Sequence, residues 1–300
     1  MPDFLETLSG IEGASVFQDV PMRRHTTWRV GGPVQYLVRA GTREAVVALL
    51  GTLRESGRPL TVIGNGSNLL VSDTGLEGVA LLLEGELAGV SAAAGRLDAG
   101  AGAMLGLAVR EAAGAGLGGL EFAAGIPGTL GGAVMTNAGA YGGCLGDVLT
   151  GVETAKRDGT TGRYERFDSS YRLPLVPPEE VVLSAGLTLP VRAREEIERC
   201  ISAASERRRA TQPSGLATAG SVFRNPPGGS AGSMIEACGL KGIAHGGACI
   251  SEAHANFIVN RGAATADDIL RLIKLAKESV LAKFKVGLEL EVQLLGFEGE

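Results

Sequence analysis

Ser221 stands in TAGSVFRNPPG, where a hydroxyl beside a glycine could act as a hydrolase nucleophile. The nucleophile reading fails on context, because the strained G-x-S-x-G turn is absent and no histidine or acid lies nearby in sequence. Taken by residue type alone, Ser221 is an isolated structural serine. His25, His245 and His254 show no ligand spacing, and Cys144, Cys200, Cys238 and Cys249 contain no CxxC pair. No metal site is therefore expected, and the thiols are expected to be free in a reducing cytoplasm. The run Arg207, Arg208, Arg209 reads most simply as the solvated end of a helix, with anion binding as the other reading.

Two glycine-rich stretches have a different character. In VIGNGSNLLV, Val62 to Val71, a glycine-flanked turn follows an apolar strand and aims several backbone N–H groups one way, which suits phosphate oxygens. It is not the dinucleotide fingerprint: Leu69 stands where the third glycine belongs, and a strand-like run follows instead of a long helix. A structural loop and a phosphate cradle both remain open for it. In GIPGTLGGAVMTNAGAYGG, Gly125 to Gly143, missing Cβ atoms allow either tight backbone packing or close approach of a ligand. Thr129, Asn137 and Tyr141 add polar groups to this apolar setting. Two such stretches in one chain favour a large cofactor bearing phosphates. The residues from Phe122 to Gly146 are uncharged for long enough to span a bilayer, but they hold little Leu, Ile or Val and lack basic flanks. No membrane span is expected, and glycine is expected to disfavour helix throughout the stretch.

The elements that must carry these residues follow from periodicity. VQYLVRA reads as a strand, REAVVALLGTLRESG as an amphipathic helix, PLTVIGNG and GVALLLEG as strands, together a compact α/β unit. RLDAGAGAMLGLAVREAAGAG reads as a strand entering a small-residue helix. VLTGVETAKRDG, TGRYERF and VVLSAGLTLPV supply β patterns beyond it. AREEIERCISAASERRRA is a charged helix leading to a third unit. There, ATADDILRLIKLAKESVLAKF is a helix with Thr265 as its cap, Asp267 and Asp268 in its first turn, and Ile269, Leu272, Ile273 and Val280 as its apolar stripe. The chain closes on the strand LELEVQLLGF. Domain boundaries are expected at 1–85, 86–200 and 201–300.

The 300 residues suffice for two or three domains, and a net charge of -5 without a basic run argues against nucleic acid as a partner. The acidic N-terminus has no signal-peptide pattern, so a cytoplasmic location is expected.

In order along nearly the whole chain, HTTWRVGGP, GNGSNLLVSDTGLEG, GLEFAAGIPGTLGGAVMTNAGAYGG, GSVFRNPPG, GLKGIAHGGACISEAHANFIVN and LELEV resemble the UDP-N-acetylenolpyruvoylglucosamine reductase family. The resemblance implies an α+β chain: an FAD-binding fold of the vanillyl-alcohol-oxidase type in two α/β subdomains, with a C-terminal α+β domain for substrate. It implies NADPH as reductant, FAD as carrier, and reduction of UDP-N-acetylglucosamine enolpyruvate to UDP-N-acetylmuramate for peptidoglycan. By motif position, Ser221 matches the proton donor, and Arg172 of SSYRLP and Glu291 of LELEV match the pair that stabilises the enolate. An arginine fork suits a carboxylate that gains charge, while Glu291 would have to be protonated or bridging, and a serine needs a partner to share its proton.

Gly64, Asn65, Gly66, Ser67, Asn68, Gly128, Thr129, Asn137 and Gly139 match cofactor positions. Tyr171, Arg208, Asn225 and Lys241 are assigned to the substrate, and a monomer is expected. Two residues depart from the family pattern: Pro174 replaces a serine, and Thr136 replaces the methionine before Asn137. The segment from Arg172 to Ser221 is short, as in the subgroup lacking an extra substrate-covering loop. Two other functions stand beside this one: a non-catalytic flavin or nucleotide-sugar binder, against which Ser221, Arg172 and Glu291 together argue, and a flavin oxidase for another substrate, which would not require the motifs around Ser221 and Glu291.

Overall fold

The structure is a computed structural model that describes residues 3–168 and 173–297. Along the first third run α1 (Phe4–Ser9), β1 (Ala14–Pro21), β2 (Pro33–Ala40), α2 (Arg43–Ser56), β3 (Leu60–Ile63), β4 (Leu69–Val71) and β5 (Leu76–Leu83). There follow β6 (Val90–Ala93), β7 (Arg96–Gly100), α3 (Leu105–Gly114), α4 (Leu130–Thr136), β8 (Gly139–Ala140), β9 (Gly143–Cys144), β10 (Leu149–Ala155), β11 (Thr161–Tyr164) and β12 (Val181–Thr188). The last third holds α5 (Arg194–Thr211), α6 (Ala231–Ala237), β13 (Ala244–His245), β14 (Ala248–Ile250), β15 (Ile258–Asn260), α7 (Ala266–Phe284) and β16 (Gln293–Leu295).

The described residues divide into two compact units. One takes 3–18, 36–65 and 78–207, the other 19–35, 66–77 and 208–297. The first is built on a four-stranded sheet, β1-β2-β5-β3, and a five-stranded antiparallel sheet, β11-β10-β12-β7-β6. In the four-stranded sheet β3 and β5 run parallel, joined by a twelve-residue crossover, 64–75, that carries β4. Thr42 starts α2 by accepting the Ala45 N–H at 3.1 Å, and Gly57, at φ +66°, ends it. Leu49, Leu50 and Leu53 of α2 then pack with Val38, Val79 and Leu81, while α3 and α4 bury Leu105, Val109, Leu130 and Val134 with Leu97, Val152 and Leu187.

Helix α4 is where the sequence expectation fails. Seven residues of the glycine stretch are helical, including Gly131 and Gly132. Both ends are capped by side chain or backbone: Thr129 Oγ1 accepts the Gly132 N–H at 3.3 Å, and Asn137 adopts the left-handed conformation at φ +40°. Burial of Leu130, Ala133 and Val134 adds tertiary support, which outweighs a glycine cost of about 1 kcal/mol per residue.

The second unit gathers α6, α7, the antiparallel sheet β13-β14-β15 and the parallel pair β16-β4. Its core includes Trp28, Phe223, Ile235, Ile258, Ile269, Leu272, Ile273 and Val280. Trp28, fully buried, donates from Nε1 to the Ile258 carbonyl at 2.7 Å, and Asn260 Nδ2 donates to the Trp28 carbonyl at 2.8 Å. The motif HTTWRVGG thus packs with elements more than two hundred residues later. Thr265 and Asp268 form a capping box at the start of α7, and the Asp73 carboxylate accepts the N–H groups of Ala266 and Asp267 at 3.0 and 3.2 Å. Among the described residues no helix is long and apolar enough to cross a membrane.

Candidate active site

The segment holding Ser221 runs beside the segment holding Glu291. Phe223 faces Leu290 across an antiparallel bridge, and the Arg224 N–H donates to the Glu289 carbonyl at 2.9 Å. The N–H groups of Glu291 and Val292 both reach the Val222 carbonyl, at 2.9 and 3.4 Å. Two residues thereby face one acceptor, the pattern of a β-bulge, a device that re-aims side chains next to active sites. Residues seventy positions apart are in this way held on adjacent segments.

Asn256 fixes the Ser221 side of this pair. Only 4% exposed, it accepts the Phe223 N–H at 3.0 Å with Oδ1 and donates from Nδ2 to the Phe223 carbonyl at 2.8 Å. Its own carbonyl accepts the Val222 N–H at 2.8 Å. One asparagine therefore imitates a strand neighbour. Beside it, burial holds His254 below the ordinary imidazole value, with nearby Lys241 acting in the same direction, and its Nδ1 accepts the Asn256 N–H at 3.2 Å. His254 is thus a neutral structural acceptor at neutral pH. In the same segment as Ser221, Thr218 Oγ1 and Arg224 Nε are buried without a hydrogen-bond partner among the described residues. These are polar atoms that the fold leaves unsatisfied, as a ligand site requires.

The substrate positions expected from sequence have varied surroundings. Asn225 Oδ1 accepts the Ala231 N–H at 3.1 Å at the start of α6, and Lys241 Nζ lies 2.7 Å from the Glu236 carboxylate. Arg208 lies in the last turn of α5. Tyr171 and Arg172 lie outside the described residues.

The first glycine loop spans both units in sequence, Gly64 and Asn65 belonging to one and Gly66, Ser67 and Asn68 to the other. Gly66 has φ +62°, and a Cβ there would lie 1.9 Å from the His25 carbonyl oxygen, so no other residue fits. Two of the loop's carbonyls accept bonds. Gly66 O accepts from the Thr27 N–H at 3.1 Å and from Thr27 Oγ1 at 3.3 Å, and Asn68 O accepts the Gln293 N–H at 2.9 Å. Asn68 Nδ2 donates to the Glu291 carbonyl at 3.0 Å.

The two glycine stretches meet in the first unit: a Cβ on Gly64 would lie 2.5 Å from Thr129 Oγ1. Gly128, at φ +146°, precedes Thr129. Asn137 is 2% exposed, and its Oδ1 accepts the Gly146 N–H at 3.0 Å. Gly139 packs on the β8-β9 hairpin, where a Cβ would lie 2.6 Å from the Gly143 carbonyl oxygen. Thr129, Asn137 and Gly139 thus hold the shape of the stretch. Burial first, and the Asp147 carboxylate second, raise the Cys144 thiol above its ordinary value, which keeps it protonated.

Residues 34–164 match the FAD binding domain family, and with the mixed sheets and glycine loops this defines an FAD-dependent oxidoreductase with the flavin-binding fold of the vanillyl-alcohol-oxidase type. Residues 212–295 match the UDP-N-acetylenolpyruvoylglucosamine reductase C-terminal domain. The chain belongs to the UDP-N-acetylenolpyruvoylglucosamine reductase family. It is 44% identical to the reductase of Heliobacterium modesticaldum over 94% of this chain and 91% of that one. It is also 44% identical to that of Moorella thermoacetica, over 94% and 93%. The crystal structure of UDP-N-acetylenolpyruvylglucosamine reductase from Thermus caldophilus matches with a TM-score of 0.81 and 39% identity, over 94% of this chain and 99% of that one.

Proposed function

We propose that this protein reduces UDP-N-acetylglucosamine enolpyruvate to UDP-N-acetylmuramate, with NADPH as the source of electrons. The observation that carries the reading is the likeness to reductases of this name along 94% of the chain. The pairing of the segments that hold Ser221 and Glu291 supports it. Gly64 to Ser67 and Gly128 to Gly139 would hold the flavin, their glycines letting its phosphates approach the backbone. FAD held there would supply hydride transfer from the nicotinamide to the enolpyruvyl group.

This chain's side chains manage the charge and the proton. Hydride addition turns the methylene into a methyl and leaves an electron pair at the α-carbon, delocalised into the carboxylate. Arg172 offers paired donors to that carboxylate as its charge grows, an interaction stronger in the transition state than in the ground state. Glu291 shares this role either protonated, as a hydrogen-bond donor, or by bridging. Ser221 then gives its proton to the α-carbon, completing the CH3–CH unit, and regains one from solvent. Arg208, Asn225 and Lys241 serve the nucleotide diphosphate end, an assignment resting on their position in the sequence.

The test separates the two halves of the reaction. Ser221→Ala is expected to leave flavin reduction by NADPH intact and to slow reoxidation by the enolpyruvyl sugar nucleotide by about 10²-fold or more. Equal slowing of both halves would remove Ser221 from the proton step.

A further inference from the structure

We propose that Asn68 is the positioning residue of Glu291, so that the first glycine loop sets where the carboxyl group of the reductive step begins. This rests on the reading of Glu291 given above. The observation is a pair of bonds from one residue. The Asn68 carbonyl accepts the Gln293 N–H at 2.9 Å, and its Nδ2 donates to the Glu291 carbonyl at 3.0 Å. Strands β4 and β16 run parallel in the register Gln293↔Leu69, Leu294↔Leu70 and Leu295↔Val71. The main-chain ladder therefore ends at Gln293, and the Asn68 side chain carries it back to Glu291.

The consequence is that both polar groups of the Glu291 main chain are fixed. Its N–H goes to Val222 at 2.9 Å and its C=O to Asn68. With both peptide planes pinned, the direction of the Glu291 Cα–Cβ bond is set by two strands at once. A hydrogen-bonded supporting group of this kind is what holds a reacting side chain within a fraction of an ångström of its working position. Displacements near 1 Å cost on the order of 10²-fold in rate. Asn256, by contrast, grips the Ser221 side, and Asp73 caps α7. Asn68 is the residue through which the loop sequence GNGSN reaches the glutamate.

Asn68→Asp keeps the side-chain volume but replaces the N–H donor with an oxygen that repels the Glu291 carbonyl. Asn68→Ser, which keeps a shorter donor, is the second variant, and circular dichroism establishes that each is folded. Three readouts apply to the FAD-loaded enzyme and its apoprotein. The first is anaerobic reoxidation by UDP-N-acetylglucosamine enolpyruvate, expected to slow by about 10-fold in kcat with little change in KM, against unchanged reduction by NADPH. The second is deuterium uptake of the apoprotein over residues 288–295, expected to quicken. The third is Glu291→Gln, run in parallel, expected to slow the same half-reaction, with Asn68→Asp adding little to it.

If Glu291→Gln slows reoxidation while neither Asn68 variant does, the inference fails and the reading of Glu291 stands. If Glu291→Gln is without effect, the reading itself fails. If the Asn68 variants slow reduction as much as reoxidation, or loosen FAD alone, Asn68 is a cofactor residue and the inference is overturned.

Discussion

At the scale of single residues, the chemistry rests on where main-chain bonds place a few side chains. Ser221 gains its place from the neighbouring Val222 and Phe223, both buried and both gripped by Asn256. Asn256→Ala removes both side-chain bonds to Phe223 and leaves the Phe223 N–H and carbonyl unpaired in the core, while the main-chain bond to Val222 stays. A loss of about 2–4 kcal/mol in urea unfolding is expected, since each buried unsatisfied group costs about 1–3 kcal/mol. A loss under about 1 kcal/mol would show that the strand holds its register without the clamp. The pairing of the segments around Ser221 and Glu291 was not legible in the sequence, because no local pattern announces a contact across seventy residues. The same limit hid Asn256 and the buried Arg224 Nε. Both lie inside recognisable segments, HANFIVN and GSVFRNPPG, but their partners are distant or unfilled.

At the scale of elements, the contact between the two glycine stretches is the feature most open to test. Gly64→Ala would push a methyl group against Thr129 Oγ1, which caps α4. A destabilisation of about 1–3 kcal/mol is expected for this overpacking. Thr129→Ala alone should cost about 1 kcal/mol as a lost cap. The double variant should be less destabilised than the sum, because removing the threonine makes room for the new methyl. Strict additivity in thermal unfolding would show that the two stretches do not meet. Helices α2 and α7 were legible because cap, first-turn charge and apolar stripe all agree within one segment. Helix α4 was not, because composition argues against it and only its caps and burial argue for it. The Asp73 cap on α7 was equally hidden, supplied from a turn nearly two hundred residues earlier.

At the scale of the whole molecule, charge and ligand binding govern stability. Hydrogen bonds from the Thr265 and Gly247 N–H groups hold the Asp268 carboxyl below its ordinary value, and the Arg43 guanidinium does the same for Glu153. A carboxylate lowered in the folded state stabilises it above the unfolded pKa, and that contribution fades as pH falls through the folded value. The melting temperature is thus expected to hold from neutral pH down to the ordinary carboxylate range, then fall, with a shallower fall in Asp268→Asn. An acid profile identical in Asp268→Asn would remove this residue from the account. FAD binding to the folded state alone should raise the melting temperature with ligand concentration.

The central claim is that electrons pass from NADPH through bound FAD to an enolpyruvyl sugar nucleotide, and one anaerobic experiment addresses it directly. NADPH added to the yellow protein should bleach the flavin absorption. UDP-N-acetylglucosamine enolpyruvate added next should restore it, forming one UDP-N-acetylmuramate per flavin reoxidised. A flavin that NADPH bleaches but only oxygen restores would contradict the account.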